Sequence, residues 1–345
     1  MKKTIIFIAA VAVILFVTGW VAVAHYPEKL LPLLIRNQLE RNFGDPVLQS
    51  ENDNIVVITV GTGTPMPGKR AQTGIAVLVN GYFFMFDAGD GIVQRAESIG
   101  LPLDELDGVF ITHWHSDHYM DLPGIISRSW ILGRNGNLHL YAPLGLDSII
   151  KATDKFLGAD NQYRADHHGT EVMDISKSYA ISHEFSIKQG ETEVVFNQDG
   201  IKITAFDVNH EPVEPAVGYS IEYMGKKVVL SGDTRKNDLV QEVALNADLL
   251  IHEVMLMSVY RELAKALEKA DMARNEKIVT DMQEYHTSPS EVADLARAAN
   301  VKILVLNHLA PAPDNLIIKR LYMNELKAFD GPIHLANDGD IFVVK

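Results

Sequence analysis

His113-Trp114-His115-Ser116-Asp117-His118 follows directly on the apolar run Gly108-Val109-Phe110-Ile111-Thr112. The run reads as a buried strand, so four side chains of metal-ligand type leave one strand end together. In an extended segment residues two apart point the same way. His113 and His115 can therefore grip one ion while Asp117 and His118 turn back toward a second. The plain alternative is a solvated histidine-rich loop. Position argues against it, because clustered His and Asp at the end of an apolar strand need a compensating cation. The chain has no cysteine, which excludes disulfides and thiolate ligands and leaves His, Asp and Glu to hold any metal.

Two first-row ions need roughly seven or eight protein contacts with an open position between them, so the loop cannot complete the site alone. The same arrangement recurs downstream. Phe206-Asp207-Val208-Asn209-His210, Val229-Leu230-Ser231-Gly232-Asp233-Thr234 and Leu306-Asn307-His308 each end an apolar run on a ligand candidate. Taken singly each is an ordinary polar loop; taken together they fit the rule that ligands in α/β proteins gather outside strand carboxyl ends.

Around these motifs, apolar β-rich runs alternate with helical ones from about Val47 onward, the pattern of a layered α/β domain. Strands are expected from Ile55 (IVVITVG), Ile75, Gly108, Ile201, Lys227, Asp248 and Lys302, and helices over Leu122 to Leu132, Leu146 to Leu157, Leu239 to Leu245 and Ile317 to Phe329. Ser288-Pro289-Ser290-Glu291 carries an N-cap serine, a proline at the first helical position and a glutamate three residues after the cap, and opens a helix over Ser290 to Ala299. The polar stretch Gly158 to Gly200 reads as the least regular part, a rim or lid, with His167 and His168 placed to line a substrate entrance.

The 345 residues can bury a large core, and the formal net charge of −14 argues against a protein that must neutralise a nucleic-acid backbone. Met1-Lys2-Lys3 precedes an uncharged apolar run from Thr4 to Ala24, which fits a cleaved secretory signal or a membrane anchor. Either reading places the remainder outside the inner membrane, in the periplasm, with residues 4–24 as the anchor if they are not removed. The expected organisation is 1–24 signal or anchor, 25–48 a juxtamembrane segment with an amphipathic stripe that can rest on lipid or pack on the domain, and 49–345 the layered α/β domain that carries the ligand motifs.

Several pieces in this order resemble the metallo-β-lactamase superfamily, within it the branch of ribonuclease Z and the bacterial metal-dependent arylsulfatases and phosphodiesterases. They are Gly61-Thr62-Gly63-Thr64-Pro65, Phe86-Asp87-Ala88-Gly89-Asp90-Gly91, the loop His113 to His118, Leu122-Pro123-Gly124, His210 with Gly218-Tyr219, Ser231-Gly232-Asp233-Thr234, His252-Glu253, His286 and His308. The resemblance implies a four-layer αβ/βα sandwich with its site at one edge. It implies two zinc ions per chain, manganese or iron being the alternatives. By that similarity His113, His115 and His210 hold the first ion, Asp117, His118 and His308 the second, and Asp233 bridges both. Asp87 and Asp90 would stand behind the ligating imidazoles. Asp117, Glu253 and His286 are the catalytic candidates, His286 protonating the leaving oxygen and Glu253 orienting it.

For the substrate, the first expectation is a small sulfate or phosphate ester cleaved by water that the metals activate. A lactonase or another carboxylic-ester or amide hydrolase is the alternative, and a ribonuclease Z-type endonuclease ranks below both. Ribonuclease Z carries a long basic arm between the ligand histidine and the bridging aspartate for gripping transfer RNA, whereas His210 and Asp233 are separated here by what reads as a plain hairpin over Gly218 to Gly232. Nucleic acid is accordingly disfavoured as a partner, membrane contact is assigned to the N-terminal segment, and a dimer is compatible with the sequence. An exported binding protein with structural metals is the non-enzymatic reading, opposed by a ligand set that leaves an open position.

Overall fold

The computed structural model describes residues 53–345 together with residues 20, 23, 24, 30–32 and 35, which are helical. The chain divides into two units, Met1–Leu48 and Gln49–Lys345, and the sheets and the candidate site all belong to the second. The signal or anchor expected over residues 4–24 lies, but for Trp20, Val23 and Ala24, outside the described residues. Among the described residues no helix is long and apolar enough to cross a membrane.

Two seven-stranded sheets make up the second unit. The first contains β1 (Ile55–Gly61), β2 (Gly74–Val79), β3 (Tyr82–Phe86), β4 (Gly108–Phe110), β5 (Leu138–Pro143) and β6 (Ala180–Phe185). The second contains β7 (Thr192–Gln198), β8 (Ile201–Asp207), β9 (Val217–Tyr223), β10 (Lys226–Leu230), β11 (Leu249–Met255), β12 (Ile303–Ala310) and β13 (Ile333–Leu335). The last strand, β14 (Asp340–Val344), returns to the first sheet and pairs antiparallel with β1. Each sheet is antiparallel at one end and parallel at the other, β3 to β6 and β10 to β13 running parallel. Parallel strands release their carboxyl ends on one side, and there the ligand-type residues collect.

Alternation of apolar side chains assigns one face of each sheet to a shared core. Phe84, Phe86, Phe110 and Tyr141 of the first sheet meet Ile203, Tyr219, Ile221 and Ile251 of the second. Phe110 stacks on Phe86 and on Tyr141, with centroids 4.8 and 4.5 Å apart. The outer face of the second sheet packs Val229, Leu250, Val254 and Leu304 against the helices α5 (Asp238–Val243), α8 (Pro289–Ala298) and α9 (Leu316–Glu325). Between α5 and α8 the chain makes α6 (Met257–Lys269) and α7 (Ala273–Asp281), which pack on one another through a satellite core of Met255, Tyr260, Val279 and Met282. On the first sheet lie α1 (Ile92–Ser98), the single turn α2 (Ser116–Tyr119), α3 (Leu122–Leu132) and α4 (Leu146–His168).

Three contacts bind the sheets at the site edge. The buried Tyr219 hydroxyl donates to the Ile111 carbonyl at 2.6 Å, Val217 N–H donates to Thr112 O at 3.0 Å, and Leu309 N–H donates to Thr62 O at 3.1 Å. Gly218 and Gly232 permit this approach: a Cβ on Gly218 would stand 2.3 Å from the Phe206 ring, and one on Gly232 2.5 Å from Val217 O. The interval from His210 to Asp233 contains the hairpin β9–β10, closed by Met224 and Gly225 with φ of 48° and 77°, the twist-matched two-residue turn.

The stretch Gly158 to Gly200 departs from the irregular lid expected of it. The helix α4 continues through Gly158 to His168, and β6 and β7 lie in the remainder. Its polarity arises because one face of a long helix and the edge strand β7 meet water. At α8 the capping box is present: Ser288 Oγ accepts from Glu291 N–H at 3.4 Å and Glu291 Oε2 accepts from Ser288 N–H at 3.0 Å. Ser288→Ala should cost about 1 kcal/mol, as loss of an N-cap oxygen does. Thermal melting at fixed metal content checks this, and an unchanged midpoint would mean that the cap contributes nothing to stability.

Candidate active site

Thr112, the residue before the metal-ligand loop, is pinned from behind. Asp87, held at φ 61° just after β3, accepts Thr112 N–H on Oδ1 at 2.8 Å and holds His118 Nδ1 with Oδ2 at 2.8 Å. A carboxylate in that position fixes which imidazole nitrogen keeps its proton and turns Nε2 of His118 inward. Asp90 does not act in this way. Its N–H donates to Gln72 Oε1 at 3.1 Å and its side chain is exposed, because the turn after Gly89 points it to solvent.

The structure draws the ligand candidates into overlapping groups. His113, His115, His210 and Asp233 each offer an atom within 4.8 Å of the others, as do Asp117, His118 and His308. In the first, His115 Nδ1 lies 3.1 Å from both His113 Nε2 and His210 Nε2. In the second, His308 Nε2 is 3.1 Å from Asp117 Oδ2. Asp233 Oδ2 stands between the two, 3.3 Å from His118 Nε2, 3.3 Å from His308 Nε2 and 4.0 Å from His210 Nε2. His210 Nδ1 is held against the Tyr285 carbonyl at 3.1 Å, which leaves Nε2 for the site.

His308 reaches this place through a bulge. Across β11 and β12, Glu253 opposes Asn307 while Val254 opposes Leu309, so His308 is the extra residue, and its φ is 45°. A left-handed histidine in a strand is strained, and such strain persists where the surroundings enforce it.

Charge and burial test whether cations suit these residues. Burial pushes His113 well below its ordinary value and His210 down to about 4, and it lowers His115, so the first group presents neutral imidazoles with lone pairs to give. In the second group, against burial, the carboxylates of Asp233, Asp87 and Asp117 raise His118 well above its usual value, and Asp233 and Asp117 raise His308. Asp117 and Asp233 are in turn held low, despite burial, by His118 and His308. Two buried carboxylates thus demand positive charge. His118 Nε2, buried and facing both, has no hydrogen-bond partner among the described residues. An inward nitrogen without a proton acceptor in line, beside carboxylates that require a cation, fits a divalent ion.

Glu253 and His286 adjoin the second group. His286 Nδ1 lies 3.2 Å from Glu253 Oε2, and His286 also falls within 4.8 Å of Asp233 and His308. Glu253 is fastened by groups whose role the sequence does not show: Oε1 accepts Thr287 N–H at 2.8 Å and Thr234 N–H at 3.4 Å, while Ser231 Oγ accepts Glu253 N–H at 3.0 Å. Their one signal in the sequence is adjacency, Thr234 following Asp233 and Thr287 following His286. His252 turns Nδ1 to the Glu253 carbonyl at 2.6 Å and belongs to none of the groups. His167 and His168 end α4 as exposed side chains, apart from the groups as well.

Residues 82–309 match the family described as Beta-lactamase superfamily domain. Among curated proteins, the chain is 30% identical over 287 residues to Ribonuclease Z of Mycobacterium bovis (strain BCG / Pasteur 1173P2), covering 82% of this chain and 95% of that one. It is 31% identical over 265 residues to Ribonuclease Z of Mycobacterium marinum (strain ATCC BAA-535 / M), covering 75% and 87%. Solved structures of like fold include the human short-form tRNase Z, with TM-score 0.60, 22% identity and coverage of 83% and 98%. Another is the metallo-beta-lactamase fold protein YhfI from Bacillus subtilis, with TM-score 0.60, 17% identity and coverage of 85% and 100%.

The relatives correct the substrate expectation. Small sulfate or phosphate esters, the arylsulfatase and phosphodiesterase assignment and the low rank given to nucleic acid all give way, because the similar curated proteins are ribonucleases. The signal, membrane and periplasm attributes find no support in them either. Net charge describes the chain at large, whereas recognition depends on charge at the site, and the hairpin β9–β10 describes one local segment only. The two-sheet fold implies a divalent metal, usually zinc, and with its matched span and relatives the chain belongs to the metallo-β-lactamase superfamily.

Proposed function

We propose that this protein is a metal-dependent ribonuclease of the ribonuclease Z type, hydrolysing phosphodiester bonds in RNA. What carries the reading is the convergence of seven ligand-type side chains and the Glu253–His286 pair at one sheet edge, in a chain spanning 95% of a ribonuclease Z. His113, His115 and His210 would hold one ion, Asp117, His118 and His308 a second, and Asp233 both. Divalent ions bound there supply positive charge to the phosphoryl oxygens and make water acidic enough to attack at neutral pH.

The remaining work falls to the chain. Asp87 keeps His118 in its inward tautomer, and the Tyr285 carbonyl does the same for His210. With Oε1 of Glu253 occupied by two backbone N–H groups, Oε2 is left to hold Nδ1–H of His286 and to orient its ring. His286 Nε2 then gives its proton to the departing sugar oxygen.

The test is incubation of the full-length protein with a panel of single-stranded and hairpin RNAs. Cleavage is expected with zinc or manganese, loss of cleavage with chelator, and close to two ions per chain by elemental analysis. RNA left intact by fully metal-loaded protein would defeat the reading.

A further inference from the structure

A net charge of −14 sits awkwardly with a polyanionic substrate, so cations must be concentrated where RNA lies. Around the site they are distributed unevenly. On one flank of His210, a cavity of about 340 Å³ is lined by Asp207, Glu211 and Glu214 and by no cation. On the other flank two cavities of about 580 and 660 Å³ both include Arg235. The first reaches His115 and His210 and carries Lys277; the second reaches His286 and carries Lys236 and Arg261.

Of the five carboxylates on this second flank, two are paired with cations and two more only accept hydrogen bonds from neutral donors. Glu211 takes Arg235 at 2.9 Å, Asp281 takes Lys277 at 2.6 Å, Glu291 serves the capping box of α8, and Glu325 accepts from Ser258 Oγ at 3.0 Å. Glu284, shared by both cavities, adds its charge near Lys277. Lys236 and Arg261 are exposed and form no salt bridge among the described residues. The neighbour of Arg261, Glu262, is itself bound by Lys265 at 2.7 Å. Lys236 and Arg261 therefore face Glu284, Glu291 and Glu325 in the cavity that opens on the proposed proton donor, whereas the cavity beyond His210 has Asp207 and Glu214 with no cation in its lining to offset them.

We propose that RNA crosses the site on the Arg235 flank, with phosphates next to the leaving oxygen held by Lys236 and Arg261, and stays clear of the carboxylate-lined cavity beyond His210. This rests on the ribonuclease reading and gives it a direction. The flexible cations contribute binding and register and leave base identity unread.

The experiment measures binding of a fluorescent RNA to full-length protein in chelator, which keeps the RNA intact, across a series of potassium chloride concentrations. KM and kcat for cleavage are measured in zinc. Lys236→Ala/Arg261→Ala should weaken binding about tenfold near 0.1 M salt. It should also flatten log affinity against log salt by about 0.7 for each phosphate no longer neutralised. In cleavage the loss should fall on KM more than on kcat, and Lys236→Arg/Arg261→Lys should restore binding. The pair Lys151→Ala/Lys155→Ala on α4 removes the same net charge elsewhere. Wild-type protein that cuts RNA while the Lys236/Arg261 alanine pair behaves identically to it, or while the α4 pair loses as much binding, would overturn the proposed path and leave the ribonuclease reading standing. Wild-type protein that neither binds nor cuts RNA would overturn both.

Discussion

Asp233→Ala should reduce RNA cleavage by more than about a thousandfold and leave purified protein with close to no bound metal. Even a residue standing behind a metal ligand is worth about 10–100-fold in affinity or activity. Asp233 is more exposed to loss than any other member of the site because one oxygen serves both groups, 3.3 Å from His118 and His308 and 4.0 Å from His210. Its removal opens both coordination sets at once. Asp117→Ala provides the contrast, since Asp117 belongs only to the group with His118 and His308. That variant should retain about one ion per chain, with equally poor turnover. Elemental analysis alongside circular dichroism separates lost ligation from lost folding. Two ions retained in folded Asp233→Ala would show that the carboxylate does not hold them.

His286→Ala should slow cleavage by about 10²–10⁴-fold, the usual worth of a positioned general acid. The measurement that isolates the role uses RNA in which the leaving oxygen is replaced by sulphur. Sulphur departs without a proton, so the variant should approach wild-type rate on that substrate while remaining slow on the oxygen ester. Equal slowing on both would assign His286 to structure or to the metals, and its place within 4.8 Å of Asp233 and His308 makes that a real alternative outcome. Glu253→Gln should show the same leaving-group dependence at smaller amplitude, because Thr287 and Thr234 N–H groups would still anchor a carbonyl oxygen there.

How far the site was legible differs residue by residue. The loop His113 to His118 declared itself because two-residue spacing at a strand end is a geometric statement in its own right. The helix Leu122–Leu132 and the start of α8 were legible for similar local reasons, apolar periodicity and a capping pattern. His308 could be named as a strand-end histidine, but not its aim. Regular alternation would turn Asn307 and His308 to opposite faces, and only the bulge against β11 decides which enters the site. The fastening of Glu253 left still less trace, since backbone N–H groups are present at nearly every residue. Charge failed in another way: a total hides the separation of Lys236 and Arg261 from the carboxylates beyond His210.

The position of β14 has a consequence for how the molecule comes into being. β1 is the first of the described strands to be synthesised, yet one of its two edges is satisfied only by β14, which is made last. During synthesis that edge presents unpaired backbone groups, the kind of template on which nascent chains associate wrongly. His308 and β14 both emerge late, so the ligand set and the first sheet become complete almost together. The group that needs His308 is therefore closed only after the first ligand loop, His210 and Asp233 have been made, shortly before β14 covers the open edge of β1.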